Sequence, residues 1–447
     1  MSESLSRRTL LEAGAAALGV AALTRTSGLP AQAAPPAAVP FAAPPMEEVR
    51  IGFVGVGGQG TSHVENLVTM PGVRIVAVCD IDPSHAANAA KIVTAAGQAP
   101  PSLYTRGPTD FLRLCETEDL DLVFTATPWE WHVPVCVAAM RHGKHAATEV
   151  PAAVTLEECW QLVEEAEKHR KHCVMMENCN YDRMELMVLN LVRQGVFGEI
   201  LHAEGGYLHD LREVKFAREG EGLWRRAHAT RRNGNLYPTH GLGPVANCLN
   251  INRGDSFAFL VSMSGPSRGL QDYAREHFPP DAPERKETYV LGDVNQSLIK
   301  TANGRTLLVG HDTNLPRPYS RIHQVQGTRG LFQGYPSRVY VEGRSPEHQW
   351  ETPDKYLPEF EHPLWRFDQA KNATTGHGGM DFLEDWRLIK CLREGLPTDM
   401  NVYDAAALSS VTPLSEWSVA NGSKPVDFPD FTRGRWQTTP PWGIVEA

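Results

Sequence analysis

The sequence predicts an α/β protein: an N-terminal doubly wound parallel sheet, then a C-terminal α+β domain with a mainly antiparallel open sheet. Three observations predict it. Short β-branched runs alternate with helical stretches between residues 47 and 175, as strand–helix–strand crossovers require. The first run ends in a Gly-x-Gly-x-x-Gly motif, Gly55-Val56-Gly57-Gly58-Gln59-Gly60. Beyond residue 200, strand-like runs follow one another with few helices between them, the pattern of antiparallel pairing. With 42% hydrophobic and 21% charged residues over 447 positions, the chain is long enough to bury two cores. Its 43 Lys and Arg against 53 Asp and Glu give a net charge of −10, which argues against nucleic acid as a partner.

The first 33 residues read as a processing segment. Arg7-Arg8 precedes an apolar run over 13–23, and Ala31-Gln32-Ala33 follows as a small-x-small cleavage site, the order of a twin-arginine export signal. A frayed Ala-rich terminus is the alternative. The apolar run is roughly half the length a membrane span needs, so the protein is expected to be exported to the periplasm or beyond and not to be integral to a membrane. A Pro/Ala-rich linker occupies 34–46.

The elements of the first domain, 47–175, follow in order. A strand over 49–55 runs into the glycine motif, and 61–70 continues as a helix. Glycines there admit a tight turn and let backbone amides approach a pyrophosphate at the helix N-terminus, the Rossmann arrangement. A second strand, 73–79, ends at Asp80, 20 residues past Gly60, where a ribose-binding acid belongs. A carboxylate there accepts ribose hydroxyls and repels a 2′-phosphate, so NAD is expected over NADP; the alternative, that Asp80 caps the helix starting at Pro83, is better filled by Asp82. A strand over 121–126 leads to Thr127-Pro128 and a loop ending in His132 before a helix to residue 141. A turn and strand over 143–149, a helix over 155–171 and a strand over 173–176 complete the sheet.

In the second domain, 176–420, strands are expected at 201–208, 257–263, 288–291, 296–300, 305–310, 323–327 and 338–341, and helices at 381–394 and 404–419. The helices are expected to pack on the sheet or on the first domain, leaving 421–447 as a tail. Ligands should bind in the cleft between the two halves. The eight cysteines never occur as Cys-x-x-Cys and are expected to be buried thiols, and no spacing indicates a metal site.

Thr127-Pro128, His132, Gly143-Lys144-His145 and Glu149-Val150-Pro151 resemble the Gfo/Idh/MocA oxidoreductase superfamily, with one departure. Its dehydrogenases read Glu-Lys-Pro where this chain has Val150, and valine cannot take a proton from an alcohol. The further segments Asn178-Cys179-Asn180-Tyr181, Tyr237-Pro238-Thr239-His240-Gly241-Leu242-Gly243-Pro244, Gly310-His311-Asp312-Thr313 and Pro316-Arg317-Pro318-Tyr319 resemble glycoside hydrolase family 109. That resemblance implies a bound-NAD α-N-acetylgalactosaminidase acting on terminal N-acetylhexosamine. It implies oxidation at C3, elimination across C1–C2, addition of water and reduction, outside the usual two-carboxylate scheme. Homo-oligomers are common in the superfamily, which implies a dimer or larger.

Residue roles follow from the match. Gly55, Gly57, Gly58, Gln59, Gly60 and Asp80 are expected to hold NAD, with Thr127, Pro128, His132, Glu149 and Asn178 at later strand ends. His132 and Glu149 have capping and sheet-edge roles as alternatives. Tyr237, His240, Tyr181 and Tyr319 are assigned to the substrate. His240 is expected to move the C3 hydroxyl proton, the role Val150 leaves vacant, with a helix cap or core histidine as the alternative. Tyr181, closing the strand from 173, is the expected base at C2, and Tyr319 the acid or sugar anchor; for each the alternative is an interface residue with a satisfied hydroxyl. Trp129, Trp131 and Trp224 offer ring faces to a sugar or pack the interface. A conventional NAD-dependent sugar or cyclitol dehydrogenase and an exported sugar-binding protein are the competing functions.

Overall fold

The computed structural model describes residues 43–367 and 376–441; the signal segment, most of the linker and residues 442–447 lie outside the described residues. The first domain runs β1 (Val49–Val54), α1 (Gly58–Leu67), β2 (Val73–Cys79), α2 (Pro83–Ala95), β3 (Ser102–Tyr104), α3 (Asp110–Thr117), β4 (Leu122–Thr125), α4 (Trp129–Arg141), β5 (His145–Thr148), α5 (Leu156–His169) and β6 (Cys173–Met175). Its six strands are ordered β3-β2-β1-β4-β5-β6, and every neighbouring pair is parallel. Helices on both faces explain why β4 and β5 are buried at every position; Phe53 of β1 stacks on Phe124 of β4 at 4.7 Å. The strand order reverses between β1 and β4, so the crevice beyond their carboxyl ends is where a ligand binds in such sheets.

A 3₁₀ turn, Asn178–Tyr181, leads out of this domain into α6 (Arg183–Arg193), β7 (Ile200–Leu208), α7 (Arg212–Phe216), α8 (Gly222–Ala229), α9 (Thr239–Cys248), β8 (Phe257–Ser264), α10 (Gly269–His277) and α11 (Pro283–Lys286). Then come β9 (Asn295–Thr301), β10 (Thr306–Asp312), β11 (Gln324–Gly327), β12 (Gly330–Gln333), β13 (Arg338–Val341), α12 (Leu357–Phe360), α13 (Met380–Glu394), α14 (Val402–Ser409), α15 (Val411–Ala420) and β14 (Val426–Asp427). The eight strands are ordered β13-β12-β11-β7-β10-β9-β8-β14. All neighbours are antiparallel except β7 and β10, so the sheet is mainly antiparallel, as expected.

Four expectations need correction. Residues 288–291 form no strand: the Val290 and Leu291 N–H groups donate to the Ala229 carbonyl at the end of α8, so no neighbouring strand pairs with them. The helix expected over 404–419 is two helices, α14 and α15, meeting at Ser410. The C-terminal segment is no detached tail, because β14 extends the sheet along β8 and Arg433 and Arg435 pair with Glu167 of α5. His132 lies inside α4, which begins at Trp129 behind Pro128, and not in a loop before it. The last helices brace both domains. His63 of α1 meets Asp385 of α13, the Ala152 N–H donates to Ser409 Oγ of α14, and the Ser262 N–H of β8 donates to Ser418 Oγ of α15. All eight cysteines are buried and unbridged. Among the described residues no helix is long and apolar enough to cross a membrane.

Candidate functional site

Two adjoining sets of residues gather at the carboxyl edge of the parallel sheet. The first is the glycine turn. Gly55 has φ +83°, and a Cβ on Gly60 would stand 2.0 Å from the Gly55 carbonyl oxygen, so the turn closes only with glycine at both positions. Around Gly58 a Cβ would meet nothing within 4 Å. Gly57 caps α1 without a side-chain hydrogen bond, and the first-turn N–H groups of an α-helix have no intrahelical acceptor. An open space above unsatisfied donors at a helix N-terminus fits a pyrophosphate. Asp80 accepts the Val56 N–H and the Asp82 N–H, both at 2.8 Å, which aims its carboxylate across the turn. Asp82 caps α2 through the Ser84 N–H. Among the described residues no Arg or Lys pairs with Asp80; its ionisable neighbour is His85 at 3.6 Å. These features fit NAD and leave a 2′-phosphate without a cationic partner.

The later strand ends add a polar network beside that turn. The Glu149 carboxylate lies 2.7 Å from His63 Nε2, and Asp385 lies 2.8 Å from Nδ1. Burial alone would depress the His63 pKa, but the two carboxylates hold it well above the usual imidazole range. Gln59 and Asn178 both donate to Asp381 of α13, at 3.1 and 2.7 Å. The His132 ring nitrogens sit 2.8 Å from the Thr127 and Pro151 carbonyl oxygens, so His132 braces the Thr127-Pro128 turn against the loop after β5. Gln59, Glu149 and Asn178 thus share one polar network beside the turn, while His132 supports the edge from within.

The second set surrounds His240, at the start of α9. Its Nδ1 lies 2.7 Å from Glu177 Oε1. Burial pushes the Glu177 carboxyl up, but the His240 charge and the hydrogen bonds around the carboxylate together outweigh it and the net shift is downward, leaving a carboxylate to fix the ring. Two glycines make this contact possible. A Cβ on Gly241 would stand 1.9 Å from the Gly206 nitrogen, and one on Gly243 would stand 2.9 Å from Glu177 Cγ, so α9 lies directly on β7 and on the Glu177 segment. The Tyr207 ring, at the end of β7, is then 5.5 Å from His240, with Tyr237 at 4.9 Å. Tyr319 is 6.1 Å from Tyr207, and Arg321 donates to its hydroxyl at 3.2 Å. Trp129 stacks on Tyr237 at 5.5 Å and meets Trp224 edge-on at 4.9 Å; the Arg225 guanidinium lies over all three rings. Trp131 packs on Phe111 instead.

Tyr181 is not brought to this set. Its hydroxyl donates to Asp399 at 3.0 Å, and the side chain lines a separate small cavity with Glu384, Thr398 and Asp399. Burial together with Asp399 and Glu384 pushes its phenol well above the usual tyrosine value, opposite to the need of a base. The strand from 173 ends at Met175 and does not run on to Tyr181, and the 3₁₀ turn behind it carries Cys179 toward His240 and Tyr181 away. Sequence reasoning missed Glu177, Tyr207, His209 and Arg225. Tyr207 and His209 had a signal: they are two apart at the end of an expected strand, hence on one face, and their side chains lie 3.0 Å apart. Burial pushes the Tyr207 phenol up to about 12, with the Arg225 cation opposing the rise.

The parallel sheet, its glycine turn and its ribose acid define an NAD-binding enzyme of the oxidoreductase type, with an aromatic pocket on an added open sheet. Residues 49–177 match the oxidoreductase family, NAD-binding Rossmann fold, and residues 181–438 match the C-terminal domain of glycosyl hydrolase 109. The chain belongs to glycosyl hydrolase family 109. A family 109 protein of Shewanella pealeana is 48% identical over 456 aligned positions, covering 99% of both chains. Another, from Shewanella baltica, is 48% identical over 460, covering 99% of this chain and all of its own. Among solved structures, levoglucosan dehydrogenase in complex with NADH and L-sorbose covers 86% of this chain at a TM-score of 0.65 and 19% identity. An inositol dehydrogenase homolog from Azotobacter vinelandii, complexed with NAD⁺, covers 88% at 0.64 and 18%. These two share the fold.

Proposed function

We propose that this enzyme hydrolyses terminal α-N-acetylgalactosaminides by the redox-neutral route of its family. The observation that carries the reading is the His240–Glu177 pair, set in a wall of three tyrosines beside the cofactor edge, in a chain where Val150 stands in the lysine position. NAD, which the Gly55–Gly60 turn and Asp80 would hold, would supply reversible hydride chemistry at C3.

The chain's own residues manage the protons. Glu177 accepts the His240 Nδ1–H at 2.7 Å, which frees Nε2 to take the C3 hydroxyl proton. Oxidation at C3 acidifies the C2 proton, and Tyr207 replaces Tyr181 as the group that removes it. Burial holds both phenols above the usual tyrosine value, but Tyr207 stands beside His240 with the Arg225 cation opposing the rise, whereas Tyr181 lies in a separate cavity among carboxylates that add to it. Tyr319, held by Arg321, serves the departing oxygen. Arg225, Trp129 and Tyr237 give the sugar a cationic and aromatic wall.

The test is release of nitrophenol from α-nitrophenyl N-acetylgalactosaminide by the protein as purified. Turnover without net NADH is expected, and substrate deuterated at C2 should react more slowly or exchange its label. Steady NADH formation from a free sugar, with no aglycone released, would overturn the reading in favour of a dehydrogenase. The same reading includes twin-arginine export with NAD already bound. Arg7→Lys with Arg8→Lys should keep the protein in the cytosol, and denaturing the exported protein should release NAD in equal amount.

A further inference from the structure

Three unlike donors converge behind the imidazole. Glu177, Cys179 and His240 each offer one ligand atom, and these atoms lie within 4.8 Å of one another. Glu177 is fully buried and Cys179 is 1% exposed, whereas the His240 side chain keeps 14% of its surface toward the pocket. One Glu177 oxygen serves His240 and the Cys179 N–H, at 2.7 and 3.2 Å. The other, Oε2, is buried without a hydrogen-bond partner, a costly state for a carboxylate. The Cys179 thiol donates to Asn178 Oδ1 at 3.3 Å, a weak bond that leaves the sulfur available.

We propose that these three residues form an inhibitory site for a soft divalent cation, with Zn²⁺ the best match. Thiolate, imidazole and carboxylate with one open position is a zinc donor set, whereas Mg²⁺ and Ca²⁺ seek oxygen alone. Charge favours it as well: Cys179 thiolate and Glu177 carboxylate together neutralise Zn²⁺, so the buried cluster carries no net charge. The atoms balance. Cys179 releases its thiol proton to solvent, and the metal replaces the proton on His240 Nδ1, which moves to Nε2. An imidazole so loaded has no lone pair for a substrate proton. Ligand atoms around tetrahedral zinc stand about 3.5 Å apart, so the Glu177 and His240 atoms, now 2.7 Å apart, must separate to admit the metal, and no pair, all lying within 4.8 Å, needs to close by more than roughly 1 Å. That favours reversible binding at zinc concentrations on the order of micromolar. The metal is no part of turnover, so a chelator alone leaves activity unchanged.

The inhibition rests on the proton-transfer reading of His240; the metal site does not, so binding is read separately. The purified, NAD-loaded protein is titrated with Co²⁺ and followed by the thiolate-to-cobalt charge-transfer band. One equivalent should saturate the band, Zn²⁺ should abolish it, and Cys179→Ser should lack it. In nitrophenyl hydrolysis, zinc should inhibit reversibly on addition of EDTA, and Cys179→Ser should need at least ~10-fold more zinc for half inhibition, measured against its own zinc-free rate. That shift corresponds to ~1.4 kcal/mol. Cys179→Ala serves as the second variant if the serine form does not fold. A band that survives both substitutions, no band at equimolar cobalt, or equal zinc sensitivity in variant and parent would overturn the proposal. A normal band in a protein that releases no aglycone would defeat the glycosidase reading and leave the site standing.

Discussion

The cofactor cradle and the aromatic pocket adjoin, but they are built in opposite ways. The cradle is local: one turn, Gly55 to Gly60, and one acid at residue 80 supply its shape, and most of its hydrogen-bonding groups are backbone. The pocket is dispersed. Glu177, Tyr207, Tyr237, His240 and Tyr319 come from a 3₁₀ turn, a strand end, a helix start and a loop, joined by the close approach of Gly241 to Gly206. A motif whose chemistry is carried by the backbone can be recognised wherever its glycines fall. Side chains assembled through packing cannot, because each one's direction depends on the element beneath it.

That contrast can be broken most sharply at His240. His240→Ala should lower aglycone release ~10²- to 10⁴-fold, the usual contribution of a proton-transfer group, while bound NAD per protein stays unchanged. Loss of NAD from this variant would show that the two regions are not separable. Tyr207→Phe should fall in the same range, with any label exchange at C2 abolished.

Lys215 sharpens the comparison from the energetic side. It is buried beside the pocket and donates to Thr313 Oγ1 and Asn314 Oδ1, both at 2.6 Å, and among the described residues no carboxylate accepts from it. Burial is the main force that pulls its pKa down to about 7 from 10.5. Between those values the unfolded chain binds a proton that the native protein does not, so native stability rises with pH there, by at most about 1.4 kcal/mol per pH unit. Below pH 7 both states are protonated and the penalty is constant. Lys215→Met should remove this slope, whatever constant offset its lost hydrogen bonds add. Urea denaturation at pH 7 and pH 10 measures it; equal slopes in parent and variant would contradict the neutral buried amine.

The cradle's prediction is smaller in free energy and opposite in kind. Gly60→Ala drives a methyl group into the Gly55 carbonyl, and overpacking of this sort costs about 1–3 kcal/mol. NAD should dissociate more readily, and excess NAD should restore the rate, because the pocket residues are untouched. The smallest effect belongs to Tyr181→Phe. It removes one hydrogen bond to Asp399, which Arg387 still holds at 2.7 and 2.8 Å, so about 1 kcal/mol of stability is lost and turnover changes less than tenfold. A Tyr181→Phe loss as large as that of Tyr207→Phe would return the C2 proton to Tyr181.

The sequence by itself determined the two-sheet architecture, because hydrophobic runs and glycine turns report strands and crossovers directly. It also determined the nucleotide cradle: the spacing from Gly60 to Asp80 follows from one helix and one strand, whose lengths local preference sets. It named His240 and Tyr319 as substrate residues, and the structure brings both to the aromatic pocket, His240 from the first turn of α9. Only the tertiary structure decided which tyrosine of the central segment faces His240. After Met175 the chain turns into a 3₁₀ helix, whose three-residue period points residues two apart in different directions; Cys179 therefore faces the imidazole and Tyr181 faces Asp399. Only the tertiary structure, too, decided that Glu177 meets His240 across 63 residues. That contact needs α9 pressed on β7 and on the Glu177 segment, and sequence periodicity does not encode how closely two backbones approach.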